Sequence, residues 1–144
     1  MPAKDWEAAE READQRIYHE GFRQFNAGDF FEAHEVWEDI WRSAIGKQRL
    51  FYQGLIQAAV TLVHLSRGNR RGCLTVYKTC LTKFDGLPAV YMGLEIAPFL
   101  EKLRGAIAHV VDDPEAPVRP NPEKRFTAAL QYDPFETPRE TDVP

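Results

Sequence analysis

Two groups of polar side chains interrupt apolar stretches of this sequence and could carry chemistry. His34 is followed by Glu38 four residues later, so in a helix its imidazole lies within hydrogen-bonding reach of a carboxylate. A second group follows within a very apolar segment: Gln53, Gln57, Thr61 and His64. Burying such groups without partners costs about 1–3 kcal/mol each. We therefore expect them to meet His34, Glu35 and Glu38 of the neighbouring helix in one polar seam.

Three interpretations of this seam remain open from the sequence. It could be a buried network that fixes the register of two helices. It could be a divalent metal site, because His34, Glu38 and His64 are suitable ligand types, although the chain has neither a Glu-x-x-His pair nor a His-Glu-x-x-His motif. It could also be a metal-free acid/base pocket, in which Glu35 or Glu38 shifts the pKa of a histidine.

A basic turn forms a second candidate site. Free backbone N–H groups at a helix N-terminus can bind a phosphate, and here cations stand beside such a terminus. The candidate anion site consists of Arg67, Asn69, Arg70 and Arg71. The plain alternative is that these cations stay solvated or pair loosely with acids, which contributes less than about 1 kcal/mol per pair. A net charge of −4 does not favour nucleic acid as a partner.

The elements that position these residues are predicted to be helices. Gly28, Gly46, Gly68 and Gly86 each follow a stretch with apolar residues every three or four positions, as glycines at helix C-termini do. The pattern predicts helices over residues 4–26, 29–44, 47–67, 69–84 and 95–111. The third is apolar nearly all round and should be central. Since no segment alternates with a period of two, we predict an all-α, compact bundle of about five helices.

The composition changes after residue 112. Residues 113–144 contain seven of the ten prolines and no glycine, so we divide the chain into a helical domain (1–112) and a Pro-rich extended arm (113–144). We expect the arm to dock in part through Phe126, Leu130, Tyr132 and Phe135, and its last residues to fray. Cys73 and Cys80 lie about 10 Å apart along one predicted helix, too far for a disulfide.

The chain offers no signal for a membrane or for export. No apolar run reaches about 18 residues, and the N-terminus becomes acidic at once. We therefore expect a cytoplasmic protein without membrane association.

Three ordered blocks of the sequence resemble a known family. They are residues 25–38 (FNAGDFFEAHEVWE), residues 53–59 (QGLIQAA) and residues 68–72 (GNRRG). This pattern resembles the family described as domain of unknown function 309, over roughly residues 16–110. The resemblance implies a small all-α domain without an assigned activity, and it places the family's polar positions on Glu32, His34, Glu35, Glu38, Gln57 and Asn69.

Together these patterns favour a non-catalytic helical module that binds an unidentified protein partner or small ligand through the seam. The alternative is a metal-assisted or acid/base enzyme of the hydrolase type that uses the His/Glu cluster. A divalent metal is the cofactor that this alternative would call on.

Overall fold

Five α-helices make up most of the chain in the computed structural model, which describes residues 2–136, with side chains from Arg11 onward. Their bounds are α1 Pro2–Asn26, α2 Phe30–Trp41, α3 Gly46–Ser66, α4 Arg70–Lys83 and α5 Ile96–Asp112. Each end lies within three residues of its predicted position. The predicted compact helical bundle is confirmed.

Helix α3 occupies the centre of the bundle, because it packs against α2, α4 and α5. Aromatic side chains fill the space between α1 and α2, where the rings of Phe22 and Trp37 lie 5.0 Å apart. Gly21 makes this packing possible, since a Cβ atom at that position would lie only 2.0 Å from Nε1 of Trp37. The absence of a side chain at residue 21 therefore sets how closely α1 approaches α2.

A short hairpin precedes α5 and was not predicted. Strands β1 (Val90–Tyr91) and β2 (Leu94–Glu95) pair antiparallel across a two-residue turn. Met92 and Gly93 both have positive φ, 51° and 81°, as a type I′ turn requires. Two residues per strand are too few to show an alternating pattern, which is why periodicity could not predict the hairpin.

The described part of the arm, residues 113–136, runs back along the bundle. Asn26 holds it at two points, since its Nδ2 donates to the Ala128 carbonyl at 2.8 Å and its Oδ1 accepts from the Ala128 N–H at 2.7 Å. The Gln131 N–H donates to the carbonyl of Gly93 at 2.7 Å. The arm is therefore bound to α1 and to the hairpin through its own backbone groups.

Three of the four residues expected to dock the arm pack against the core: Phe126, Leu130 and Phe135. Tyr132 is 46% exposed, so its expected docking was wrong. Its backbone makes the contact instead, because Tyr132 O would lie 2.3 Å from a Cβ atom at Gly93. The predicted fraying concerns residues beyond 136, outside the described part of the chain. The domain boundary at residue 112 stays a prediction.

The two cysteines and the lengths of the helices also agree with the sequence analysis. Cys73 and Cys80 are free and buried, so the predicted absence of a disulfide between them is confirmed. Within residues 2–136, no helix is long and apolar enough to cross a membrane.

Candidate functional site

The outer side of α2 exposes an aromatic ring between two polar groups. Ala33, Trp37 and Ile40 of this helix are buried, whereas Phe31 is 42% exposed. The Phe31 ring lies 4.9 Å from the imidazole of His34, and the guanidinium carbon of Arg67 lies 5.4 Å from its centre. We call Phe31, His34 and Arg67 the Phe31 patch.

The predicted pairing of His34 with Glu38 is confirmed. His34 Nε2 lies 3.3 Å from Glu38 Oε1, and Nδ1 lies 2.5 Å from the carbonyl oxygen of Phe31. The Phe31 carbonyl can only accept, so Nδ1 donates to it, and Nε2 is the nitrogen that faces the Glu38 carboxylate. Glu35 is exposed on the same helix.

The polar groups of α3 have partners other than those expected. Thr61 is fully buried, and its Oγ1 donates to the Gln57 carbonyl at 2.8 Å, within α3 itself. His64 Nδ1 lies 3.2 Å from Asn69 Nδ2, and a Cβ atom at Gly72 would lie 2.6 Å from the same Nδ1. His64 therefore packs against the start of α4, and the expectation that α2 supplies the partners of Thr61 and His64 was wrong.

The physical reasons for this difference are local. A buried helical threonine can use the carbonyl four residues earlier, so Thr61 needs no neighbour. The Gly68 turn brings Asn69 back towards α3, where its backbone N–H donates to the His64 carbonyl at 2.9 Å. The missing side chain of Gly72 then leaves room for the His64 ring.

Two glutamines complete the polar line on α3. Both Gln53 and Gln57 are half-buried. Oε1 of Gln57 is buried and has no hydrogen-bond partner among the residues that the structure describes. A buried acceptor without a partner lowers stability. Within the described chain, Gln57 Oε1 is the one buried side-chain atom of the predicted seam that lacks a hydrogen-bond partner.

The predicted metal site is not assembled. Among the side chains that the structure describes, no three His, Cys, Asp or Glu residues come together as a metal ion requires. His34 and Glu38 form a pair, but His64 faces Asn69 and Gly72 instead of joining them. The set His34, Glu38 and His64 is therefore corrected to a two-residue pair and a separate histidine.

The basic turn serves the fold at two of its four positions. Oδ1 of Asn69 accepts from the Gly72 N–H at 2.9 Å and so caps α4. Arg70 donates to the carbonyls of Val110 and Ala116, at 2.6 Å and 2.5 Å, and so joins α4 to α5 and the arm. Arg67 and Arg71 remain as exposed cations, and whether they bind an anion stays a prediction.

Sequence reasoning did not single out Phe31 as a surface residue. The signal was present, because Phe30 and Phe31 are adjacent at the start of a helix and differ by about 100° in direction. Phe30 packs against Phe25 at 5.2 Å, so Phe31 must face elsewhere.

Comparisons with known proteins agree with this description of a small helical bundle. The family model described as "Domain of unknown function (DUF309)" matches residues 18–76. A conserved hypothetical protein from Thermus thermophilus, of known crystal structure, is 33% identical; the match covers 60% of this chain and 90% of that one, with a TM-score of 0.54. The chain belongs to the family described as domain of unknown function 309.

A longer relative matches part of this chain. An "Uncharacterized protein" from Aquifex aeolicus (strain VF5) is 33% identical over 85 residues, which are 56% of this chain and 26% of that protein. The chain therefore spans about a quarter of the length of this relative. The family match at 18–76 contains the whole Phe31 patch and ends before the arm.

Proposed function

We propose that this protein is a non-catalytic helical module that binds a protein partner through the Phe31 patch. The observation that carries the proposal is the Phe31 ring, exposed by 42% and flanked by His34 and Arg67. Aromatic residues and arginine are enriched at the energetically important centres of protein interfaces. A partner that covers the ring gains hydrophobic burial there, and the Arg67 guanidinium offers hydrogen bonds that orient it.

The shape of the surface beside Phe31 favours a macromolecule over a small ligand. An open hollow of about 190 Å³ lies there, lined in part by Asp29, Phe30 and Val63. Small-molecule sites usually enclose about 300–1,000 Å³. A shallow hollow suits a single apolar side chain of a partner, with the rest of that partner lying across α2.

The charge of α2 and its N-cap indicates the chemistry of the partner. Five acids and no base occur between residues 29 and 39: Asp29, Glu32, Glu35, Glu38 and Asp39. A partner segment with basic residues around one apolar side chain complements this surface. Charges at the rim of an interface act mainly on orientation and on the rate of association. The proposal places the encounter in the cytoplasm, as expected from the sequence.

The enzymatic alternative has less support. Its metal-assisted form needed His64 beside His34 and Glu38, and no such group forms among the described side chains. Its acid/base form needs a ring nitrogen directed at a substrate, but both nitrogens of His34 are directed at groups of the protein itself, the Phe31 carbonyl and the Glu38 carboxylate.

Site-specific photo-crosslinking in the native host tests the proposal. A benzoylphenylalanine at position 31 should give a discrete adduct, which a Glu35→Lys, Glu38→Lys double change should weaken. The same probe in place of Thr79, exposed on α4, is the matched control and should not give that adduct. The proposal is overturned if position 31 gives no discrete adduct, or if both positions give the same ones.

A further inference from the structure

A cavity of about 300 Å³ lies between the helices and the arm, and Phe30 lines both this cavity and the hollow beside Phe31. Its walls come from four parts of the chain and are mainly apolar. They include Phe30 of α2, Leu62 and Leu65 of α3, Ala106 of α5 and Phe126 of the arm. We call this space the arm cavity. Its volume lies at the lower end of the range of small-molecule sites.

The arm covers this cavity with a segment that is fixed on both sides. Before the cavity, Arg70 holds the carbonyl of Ala116, and after it, Asn26 holds both backbone groups of Ala128. Between these points the chain contains three prolines, whose rings restrict the backbone: Pro117, Pro120 and Pro122. The cover is therefore part of the fold, and the cavity is preformed.

The charged residues that line the cavity within the described chain are both basic: Lys124 and Arg125. Arg125 lies across the turn between α1 and α2, where its Nη2 donates to the Asn26 carbonyl at 3.3 Å. Gly28 permits this approach, since it has a φ of +88° and a Cβ atom there would lie 3.2 Å from the same nitrogen. A guanidinium has five N–H donors, so one such bond leaves others for a ligand.

We propose that the arm cavity binds a small amphipathic anion, namely a carboxylate with an apolar tail. The tail lies among Phe30, Leu62 and Phe126, and the carboxylate meets Lys124 and Arg125. Apolar walls with a few converging polar groups are typical of ligand sites, and a guanidinium or ammonium paired with a carboxylate gives charge-assisted hydrogen bonds. None of the three residues of the Phe31 patch lines this cavity, and the proposal does not depend on the function proposed for that patch.

Calorimetric titration with three ligands and two matched variants tests the proposal. Decanoate, below its micelle concentration, should bind at one site per chain, whereas decylammonium, with the same tail and the opposite charge, should bind at least about tenfold more weakly.

Lys124→Gln should weaken decanoate binding by about tenfold. Lys78→Gln removes the same charge on α4, away from the cavity, and should leave binding unchanged. Benzoate serves as a carboxylate without a long tail and should bind more weakly than decanoate.

A cavity-filling variant gives an independent readout. Ala106→Leu places extra atoms in the cavity and should abolish decanoate binding while the helical circular dichroism stays that of the parent. Lys124 is exposed, so its variant keeps the test valid if the Ala106 variant does not fold. Absence of saturable decanoate binding, equal binding of decanoate and decylammonium, or equal binding by the parent and Lys124→Gln would each overturn the proposal. Phe31→Ser should leave decanoate binding intact, which separates this test from that of the Phe31 patch.

Discussion

Phe30 and Phe31 show how one step along a helix separates a structural residue from a surface one. Phe30 lies against Phe25 and forms a wall of the arm cavity, whereas Phe31 turns outward between His34 and Arg67. The same reasoning applies to the two histidines of the predicted seam. His34 belongs to the outer side of α2, and His64 belongs to the contact between α3 and α4. The direction in which a side chain leaves its helix therefore decides whether the residue serves the packing or the surface.

Glycine at position 21 is predicted to be essential for the packing of α1 on α2. Gly21→Ala places a methyl group within 2.0 Å of the Trp37 indole nitrogen. The Trp37 side chain is fully buried, so it cannot move away without disturbing the packing around it. We expect the free energy of unfolding to fall by about 1–3 kcal/mol in urea titrations.

Gly105→Ala is the matched control for this change. Gly105 also lies within a helix, but nothing stands within 4 Å of a Cβ atom built there. The substitution should raise the free energy of unfolding by about 0.5–1 kcal/mol, through helix propensity. Equal effects at the two positions would show that steric contact with Trp37 is not the cause.

The two cysteines are predicted to be inert in the folded protein. Burial raises the pKa of the Cys73 thiol to about 11 and that of the Cys80 thiol to about 12. The reactive thiolate is therefore scarce at about pH 8, and access is blocked as well. Ellman's reagent should modify both thiols only as fast as the chain unfolds, and rapid reaction under native conditions would contradict the described burial.

At the scale of elements, the arm is held to α1 by polar contacts around Asp133. Its Oδ2 lies 3.0 Å from both Gln15 Nε2 and His19 Nε2, and its Oδ1 accepts from the Phe135 N–H at 2.9 Å. Burial alone would raise the pKa of the Asp133 carboxyl, but these bonds to the carboxylate outweigh it and hold the pKa below its usual 3.8. Folding therefore favours the ionised form.

The lowered pKa of Asp133 makes the free energy of unfolding depend on pH. A carboxyl with a lowered pKa in the folded state stabilises the fold above pH 3.8, and the contribution disappears as the pH falls through the lowered value. We expect Asp133→Asn to be less stable than the parent at about pH 7, with a difference that shrinks towards about pH 3 in urea titrations. Asp85→Asn, at an exposed residue, is the control. A difference that stays constant across this pH range would refute this role.

The helices were predictable from the sequence, because apolar periodicity and glycines at helix ends are local signals. The pair of His34 and Glu38 was predictable for the same reason, since four residues make about one helical turn. The partner of His64 was not predictable, because the space at Gly72 decides which neighbouring helix its ring meets. The arm's attachment to Gly93 was also hidden, since it depends on backbone groups distant in sequence.

For the whole molecule, we predict that divalent metal ions do not stabilise the fold. The described side chains form no three-residue ligand group, and a ligand stabilises a protein only by binding the folded state more tightly than the unfolded one. Thermal unfolding of untagged protein should give the same midpoint with and without zinc, nickel or manganese chloride. A rise in the midpoint that His34→Ala removes would restore the metal hypothesis.

The contact between Arg11 and the arm has a consequence for how this domain can be connected to other chains. Arg11 Nη2 donates to the carbonyl of Phe135 at 2.6 Å, so two points 124 residues apart in sequence meet. Helix α1 begins nine residues before Arg11, so about 14 Å of helix separates its first residue from this contact. A short linker could therefore join the two ends of the described fold, and such a geometry tolerates insertion into a host and circular permutation. A larger protein could carry such a unit as a side branch, without separating the segments that precede and follow it.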